Sequence, residues 1–258
     1  MTAGAGNAVH RSVSAMGWYW VVLVSASICA IAGISALHAQ TRAADRAQLV
    51  LEKSWGRAFA HQKREIAKGS VDICFVGDSL TEFWASTGKP IWDLEFHRFR
   101  AVNLGMAADR TENILYRVQN LPLAAHPRKL FVVLAGTNNL SRDPPDSPAT
   151  ALKGVRAILE TTRRQCPEST VLILSLSPNG YYSEGALRQR VLEFNGGLEA
   201  LGEREGVHYL DIHHEFADDG NRWRERMTLD GTHFSVRGYD YLTRKIVPVI
   251  SGIMSGGP

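Results

Sequence analysis

The sequence has few cysteines and almost no excess of charge of either sign, and both shortages exclude classes of protein. Its 258 residues include three cysteines, Cys29, Cys74 and Cys166, too few and too scattered for a disulfide framework or a CxxC metal site. The 29 basic and 26 acidic side chains leave a formal charge of +3, which does not indicate a nucleic-acid partner. We therefore expect Cys74 and Cys166 to be separate core residues.

Long hydrophobic runs are also lacking, with one exception that follows a polar segment at residues 1–14. Residues 15–39 contain no Asp, Glu, Lys or Arg, and the apolar stretch approaches the roughly 20 residues that span a bilayer. A cleavable signal usually ends in a small-x-small pattern, and Leu37 fits that pattern poorly for a cut after Ala39. We expect a retained membrane anchor with the rest of the chain outside the cytoplasm, or an exported protein if the segment is cleaved.

Residues 42–258 predict one α/β domain, since short apolar runs alternate with helical patterns and no linker interrupts them. The runs that predict strands are 71–76, 102–104, 129–135, 170–176 and 207–212. The stretches that predict helices are about 42–68, 111–119, 149–165, 184–205 and 236–254. Apolar runs of this kind are typical of strands buried on both faces, so we expect a parallel sheet with helices on both sides.

Polar and glycine-containing motifs follow several of these strands or precede the last helix. They are GDSLT at 77–81, NLG at 103–105, GTNN at 136–139 and DGTHFS at 230–235. Ligands of parallel α/β sheets bind beyond the carboxyl ends of the strands. We therefore expect the side chains of these motifs to meet at one edge of the sheet.

The residue types in these motifs indicate acyl transfer by a serine nucleophile. Ser79 lies at a strand-to-helix turn, His233 can remove its proton, and Asp230 can orient the imidazole. An oxyanion requires hydrogen-bond donors, and the Ser79 N–H, the Gly105 N–H and the Asn138 amide are suitable groups. This chemistry requires neither a metal nor a cofactor.

Each motif alone has a simpler explanation, because Asp78 or Ser79 can cap a helix and a single histidine is usually structural. Four motifs in this order, each at a strand end or in a late loop, are harder to explain as turns and caps. We therefore prefer the catalytic interpretation.

In these motifs the chain resembles the SGNH (GDSL-type) hydrolase superfamily, from about residue 55 to residue 241. The matching blocks are FVGDSLTEFW, NLGMAADRTENILYRV, VVLAGTNNL and LDGTHFSVRGYDYL. The resemblance implies a flavodoxin-like three-layer α/β/α sandwich in which Ser79 attacks, His233 is base and acid, and Asp230 orients it. Within the superfamily, DRTENILYRVQN and GTNN are most similar to platelet-activating-factor acetylhydrolase catalytic subunits, which implies short acyl groups, above all acetyl.

Other polar and aromatic residues carry weaker predictions. The run DIHHE at 211–215 contains metal-ligand types, but neighbouring histidines on a strand point to opposite faces, so a structural role is expected. Arg110 could bind an acidic substrate group or anchor its own loop to an acidic side chain. Four aromatic residues could line an acyl pocket, but are more often core residues: Trp84, Trp92, Phe96 and Phe99.

Three functions remain open on the sequence alone. The leading one is a short-chain esterase, acting on acetylated glycans of the envelope or outside the cell. A lysophospholipase or acyl-thioesterase would require a long apolar groove, which the sequence neither shows nor excludes. A membrane-tethered binding protein without activity would have no evident need for all five proposed site residues.

Overall fold

The structure is a computed structural model that describes residues 43–69, 71–180 and 185–256. The polar segment 1–14 and the hydrophobic segment 15–39 lie outside the described residues. Among the helices that are described, none combines the length and the apolar character of a membrane span.

A five-stranded parallel sheet forms the centre of the domain. Its strands are β1 (Ile73–Gly77), β2 (Ala101–Gly105), β3 (Leu130–Leu134), β4 (Thr170–Leu174) and β5 (Val207–Leu210). The order β2-β1-β3-β4-β5 is that of flavodoxin-like folds. All five predicted strands are present, with ends that differ from the predicted ones by at most two residues.

Helices precede, connect and follow the strands. Those of seven residues or more are α1 (Lys53–Ala67), α3 (Lys89–Glu95), α4 (Thr111–Asn120), α6 (Pro148–Gln165), α7 (Ala186–Gly202) and α9 (Val236–Met254). The shorter ones are α2 (Ser79–Glu82), α5 (Thr137–Ser141) and α8 (His213–Phe216).

The first helix is shorter than the sequence predicts, because it begins at Lys53 and not near residue 42. The preceding segment is instead bonded to the start of α4. Gln48 N–H donates to Glu112 O at 2.9 Å, and Thr111 Oγ1 donates to Ala44 O at 3.3 Å. Backbone groups that a helix would satisfy internally are therefore used to attach this segment to the domain.

The helices form two groups on opposite faces of the sheet. Helix α6 packs against α4 and α7, whereas α9 packs against α3. The connection from β1 to β2 runs one way along the sheet and the later connections run the other way. Right-handed crossovers in opposite directions place their helices on opposite faces, which explains why β1 and β3 are buried along their whole lengths.

The register of the strands brings the predicted motifs to one edge. Gly77 at the end of β1 pairs with Gly105 of β2 and with Leu134 of β3. The chain after Gly77 turns sharply, and a Cβ at this position would lie 2.1 Å from Thr81 Oγ1 and 2.4 Å from Leu134 O. Only glycine allows this approach, which lets the turn that carries Asp78 and Ser79 begin at the very end of β1.

Candidate active site

The turn after β1 separates the roles of Asp78 and Ser79. Asp78 caps helix α2, where its Oδ1 accepts the Leu80 N–H at 2.9 Å. Ser79 is the first residue of α2 and is 8% exposed. Helix capping thus accounts for the aspartate and leaves the serine hydroxyl available for chemistry.

The side chains of Ser79, His233 and Asp230 are joined by two consecutive hydrogen bonds. Ser79 Oγ is 2.9 Å from His233 Nε2, and His233 Nδ1 is 2.7 Å from Asp230 Oδ2. With Nδ1 carrying the proton, Nε2 accepts from the serine hydroxyl, which is the arrangement a general base requires. The structure therefore brings together the three side chains that the sequence nominates as a triad.

The loop that carries His233 is held by contacts from three directions. Trp223 Nε1–H donates to Gly231 O at 2.8 Å, and Gly180 N–H donates to the same oxygen at 2.7 Å. The Phe83 ring packs on the imidazole with ring centres 4.9 Å apart. Because Phe83 belongs to the turn that follows α2, this contact links the imidazole to the segment that carries Ser79.

Asp230 is held in its charged form by the loop that carries it. Burial raises the pKa of its carboxyl group, but the hydrogen bonds from the His233 and Thr232 backbone and from the His233 ring outweigh burial, and the net pKa is lowered. Asp230 Oδ1 accepts the His233 N–H at 2.8 Å and the Thr232 N–H at 2.9 Å. The group is therefore an acceptor for the ring proton at neutral pH.

The Asn138 side chain lies between the turns after β1 and β2. It belongs to α5, which begins directly after Gly136, whose φ is +121°. Its Nδ2 donates to Asp109 O at 2.9 Å and lies 3.4 Å from Asp78 Oδ2. One amide hydrogen is thus firmly held, and the other is only weakly engaged and available to a ligand.

The structure does not support Gly105 as an oxyanion donor. Gly105 N–H already donates to Asn103 Oδ1 at 2.8 Å. The glycine is required for a different close approach, since a Cβ here would lie 2.1 Å from Glu82 N. The prediction mistook a packing glycine between β2 and α2 for one that faces substrate.

Ala108 offers a backbone N–H that the sequence did not suggest. It is exposed and adopts a left-handed conformation with φ +68°, and its N–H has no acceptor among the described residues. The flanking N–H groups are engaged, that of Ala107 with Glu82 Oε2 and that of Asp109 with Met106 O. An alanine is not expected in this conformation, so no sequence signal identified it.

Two carboxyl groups, those of Asp78 and Asp109, are buried near Ser79. Burial raises the pKa of Asp78 to about 7, and the nearby Asp109 adds to the increase. Burial also raises the pKa of Asp109, against the opposing charge of Arg117. Sequence reasoning did not select Asp109 or Arg117, although Arg117 falls between Ile114 and Val118 on the apolar face of α4.

The remaining candidates have structural contacts. Arg110 pairs with Asp146 at 3.5 Å and donates to Arg142 O and Pro144 O, so it anchors its loop, as the second of its two interpretations proposed. Trp84 and Phe96 are buried core residues, and Trp92 and Phe99 pack against the core. Cys74 and Cys166 are buried, unbridged thiols.

The two histidines at 213 and 214 do not lie on a strand, because β5 ends at Leu210 and α8 begins at His213. His213 is buried and His214 is exposed and bonded to Asp211. Among the described residues no group of three or more His, Cys, Asp or Glu side chains is arranged to hold a metal ion.

Comparison with known proteins gives matches in both sequence and fold. Residues 75–241 match the GDSL-like lipase/acylhydrolase family. The sequence is 28% identical over 176 residues to the platelet-activating factor acetylhydrolase IB subunit alpha1 of Rattus norvegicus, covering 68% of this chain and 73% of that protein.

Solved structures with the same fold include two bacterial hydrolases. A GDSL-like lipase from Bacteroides thetaiotaomicron superposes with a TM-score of 0.64 at 18% identity, covering 77% of this chain and 96% of the other. An acetylxylan esterase from Geobacillus stearothermophilus gives a TM-score of 0.57 at 13% identity, covering 69% and 93%. At these identities the likeness concerns the fold.

Proposed function

The chain belongs to the GDSL-like lipase/acylhydrolase family and is a serine ester hydrolase, and from this premise we propose that it removes short acyl groups, above all acetyl, with Ser79, His233 and Asp230 as its triad. The observation that carries the proposal is the unbroken series of hydrogen bonds from Ser79 Oγ through the imidazole to Asp230.

In the first half of the proposed reaction, Ser79 Oγ attacks the ester carbonyl carbon while its proton passes to His233 Nε2. The resulting imidazolium is stabilised by Asp230, and it then protonates the departing alcohol as the carbon–oxygen bond breaks. In the second half, water attacks the acyl-serine ester, gives its proton to His233, and releases the carboxylic acid as Ser79 recovers its proton. The triad is thus returned to its starting state.

The oxyanion of each tetrahedral intermediate is stabilised by three proposed donors. They are the Ser79 N–H, the weakly engaged hydrogen of the Asn138 amide, and the Ala108 N–H in place of Gly105. Ala108 is favoured because its own N–H is unoccupied and because the next residue, Asp109, holds the Asn138 amide through its main-chain oxygen. Each such donor contributes about 2.7–4 kcal/mol to transition-state stabilisation.

The preference for acetyl is supported by the named activity of the curated relatives, which are acetylhydrolase subunits. The proposal that the ester is carried by an envelope or extracellular glycan has two supports. One structural neighbour is an acetylxylan esterase, and the hydrophobic segment 15–39 would place the catalytic domain outside the cytoplasm, as an anchor or as an export signal. Fractionation of cells and protease accessibility of the domain would test that location.

Hydrolysis of p-nitrophenyl esters from acetate to palmitate by the full chain in mild detergent tests the proposal. We expect the highest kcat/KM for acetate and a steady fall with acyl length. Ser79→Ala should lose at least about 10³-fold in kcat without a change in thermal stability. The matched control is Ser169→Ala, which removes a buried hydroxyl at the opposite end of the sheet and should retain full kcat.

Each result separates the alternatives. A preference for octanoate or palmitate would favour the lysophospholipase or thioesterase interpretation over the short-chain one. Full activity of Ser79→Ala would reject the proposed nucleophile.

A further inference from the structure

Arg117 is a buried cation that contacts the ends of two strands. Its side chain is 0% exposed. Nη2 donates to Gly77 O at 2.9 Å, and Nη1 donates to Leu104 O at 2.5 Å. Gly77 is the last residue of β1 and directly precedes Asp78 and Ser79, so this guanidinium fixes the peptide from which the nucleophile turn departs.

The same guanidinium is paired with the carboxylate of Asp109, and the main chain of Asp109 contacts Asn138, one of the proposed oxyanion donors. Arg117 Nε donates to Asp109 Oδ2 at 2.7 Å, and Trp55 Nε1–H donates to Asp109 Oδ1 at 2.8 Å. The main-chain oxygen of Asp109 accepts from Asn138 Nδ2 at 2.9 Å. The position of the Asn138 amide is therefore set by a residue whose side chain is locked by Arg117 and Trp55.

We propose that Arg117 is a positioning residue for catalysis, which aligns the nucleophile turn through Gly77 and the Asn138 amide through Asp109. This inference rests on the proposed roles of Ser79 and Asn138. An ion pair this deeply buried contributes little net stability relative to an apolar pair, because desolvation offsets the attraction. Its fixed, planar geometry instead determines where the two halves of the site lie relative to each other.

Arg128 provides a matched comparison at the opposite end of the sheet. It is 2% exposed, and it also donates to main-chain oxygens, those of Val71 at 2.8 Å and Ile66 at 3.1 Å. These oxygens lie before β1, at the opposite end from Ser79. A role limited to tying backbone segments together would make the two arginines equivalent.

The test compares Arg117→Lys with Arg128→Lys, because lysine keeps the charge but cannot form the planar fork. Both full-length variants are assayed with p-nitrophenyl acetate well below their unfolding temperatures. We expect Arg117→Lys to lower kcat by about 10- to 100-fold, as misplacement of reacting groups by about 1 Å does, with KM within about threefold. Arg128→Lys should change kcat by less than about twofold while still lowering the melting temperature.

A second variant, Trp55→Phe, tests the same contacts through Asp109 and leaves the buried ion pair in place. Trp55→Phe removes the N–H that donates to Asp109 Oδ1 together with part of the indole ring system, and we expect kcat to fall about threefold to tenfold, by the partial misplacement of Asn138. Because the effect acts through Asn138, the same substitution should cost little in an Asn138→Ala background. Trp92→Phe, in the aromatic cluster away from Asp109, is the control and should leave kcat unchanged.

Equal losses of kcat in the two lysine variants, or a Trp55→Phe effect that is the same with and without Asn138, would overturn the positioning role while leaving the proposed function intact. Full activity of Ser79→Ala would overturn both. A selective fall in kcat for Arg117→Lys that persists at every temperature below unfolding supports the inference.

Discussion

The ion pairs at the two ends of the sheet differ in their access to water. At the carboxyl end the Arg117–Asp109 pair is almost wholly buried, and so is the neighbouring carboxyl group of Asp78. At the amino end Asp72 pairs with Arg100 and Lys129, whose side chains are 56% and 58% exposed. Pairs with exposed cations of this kind contribute about 0–1 kcal/mol, and the Asp72 side chain, which is 14% exposed, still reaches water when one cation is lost.

This difference indicates how much movement the ion pairs at each end tolerate. The ion pairs of Asp72 at the amino end tolerate movement, because water can replace the exposed side chains of Arg100 and Lys129. The buried Arg128 at this end donates to main-chain oxygens instead. At the carboxyl end the loss of one partner leaves a buried group unsatisfied, at a cost of several kcal/mol. The groups there are consequently held in one arrangement, which proposed catalysis at Ser79 requires.

Asn138→Ala, a substitution in the proposed oxyanion site, should have the largest effect in this comparison. Loss of one donor to the oxyanion should lower kcat by about 10²- to 10³-fold, with little change in KM, as measured with p-nitrophenyl acetate. A polar deletion at the amino end should do the reverse, so Ser169→Ala should lower the melting temperature and keep kcat. Comparable kcat values for the two variants would remove the distinction between the ends.

The buried carboxyl of Asp78 should give stability a recognisable dependence on pH. Burial raises its folded-state pKa to about 7, above the value of about 3.9 expected in the unfolded chain. Between these values the folded state binds more protons than the unfolded state, so this group makes the free energy of unfolding fall as pH rises from about 4 to 7. Asp78→Asn should remove that contribution. The melting temperature of the variant relative to that of the wild type should therefore rise as pH increases from about 4 to 7.

Asp72→Asn is the control for that measurement, since it makes the same chemical change at the amino end. If the melting temperatures of the two variants depend on pH in the same way, the burial of Asp78 does not contribute to the pH dependence of stability.

The sequence was a good guide to the strands and to which side chains meet at the carboxyl edge of the sheet, for a physical reason. Apolar runs identify strands buried on both faces, and Ser79 and His233 occur in short motifs whose chemistry is local. Gly105 shows the limit of that reasoning, because a glycine signals close approach without saying of what. The Arg117 network was not predictable, since its partners come from residues 62, 77, 104 and 109, and their meeting is a product of the fold.

The smallest expected effect concerns two non-glycine residues with positive φ, one near each end of the sheet: Ala108 at +68° and Arg100 at +49°. A left-handed conformation costs a non-glycine residue about 1–2 kcal/mol, and glycine loses about 0.5–1 kcal/mol in backbone entropy. Ala108→Gly should therefore stabilise the protein by about 0.5–1 kcal/mol, measured by urea unfolding, with kcat within about twofold because its N–H is retained. Arg100→Gly relieves similar strain but loses the contacts of the guanidinium with Asp72, so its net effect should be near zero. A fall of tenfold or more in the kcat of Ala108→Gly would instead mean that the stiffness of alanine at this turn, and not only its N–H, holds the proposed oxyanion site in place.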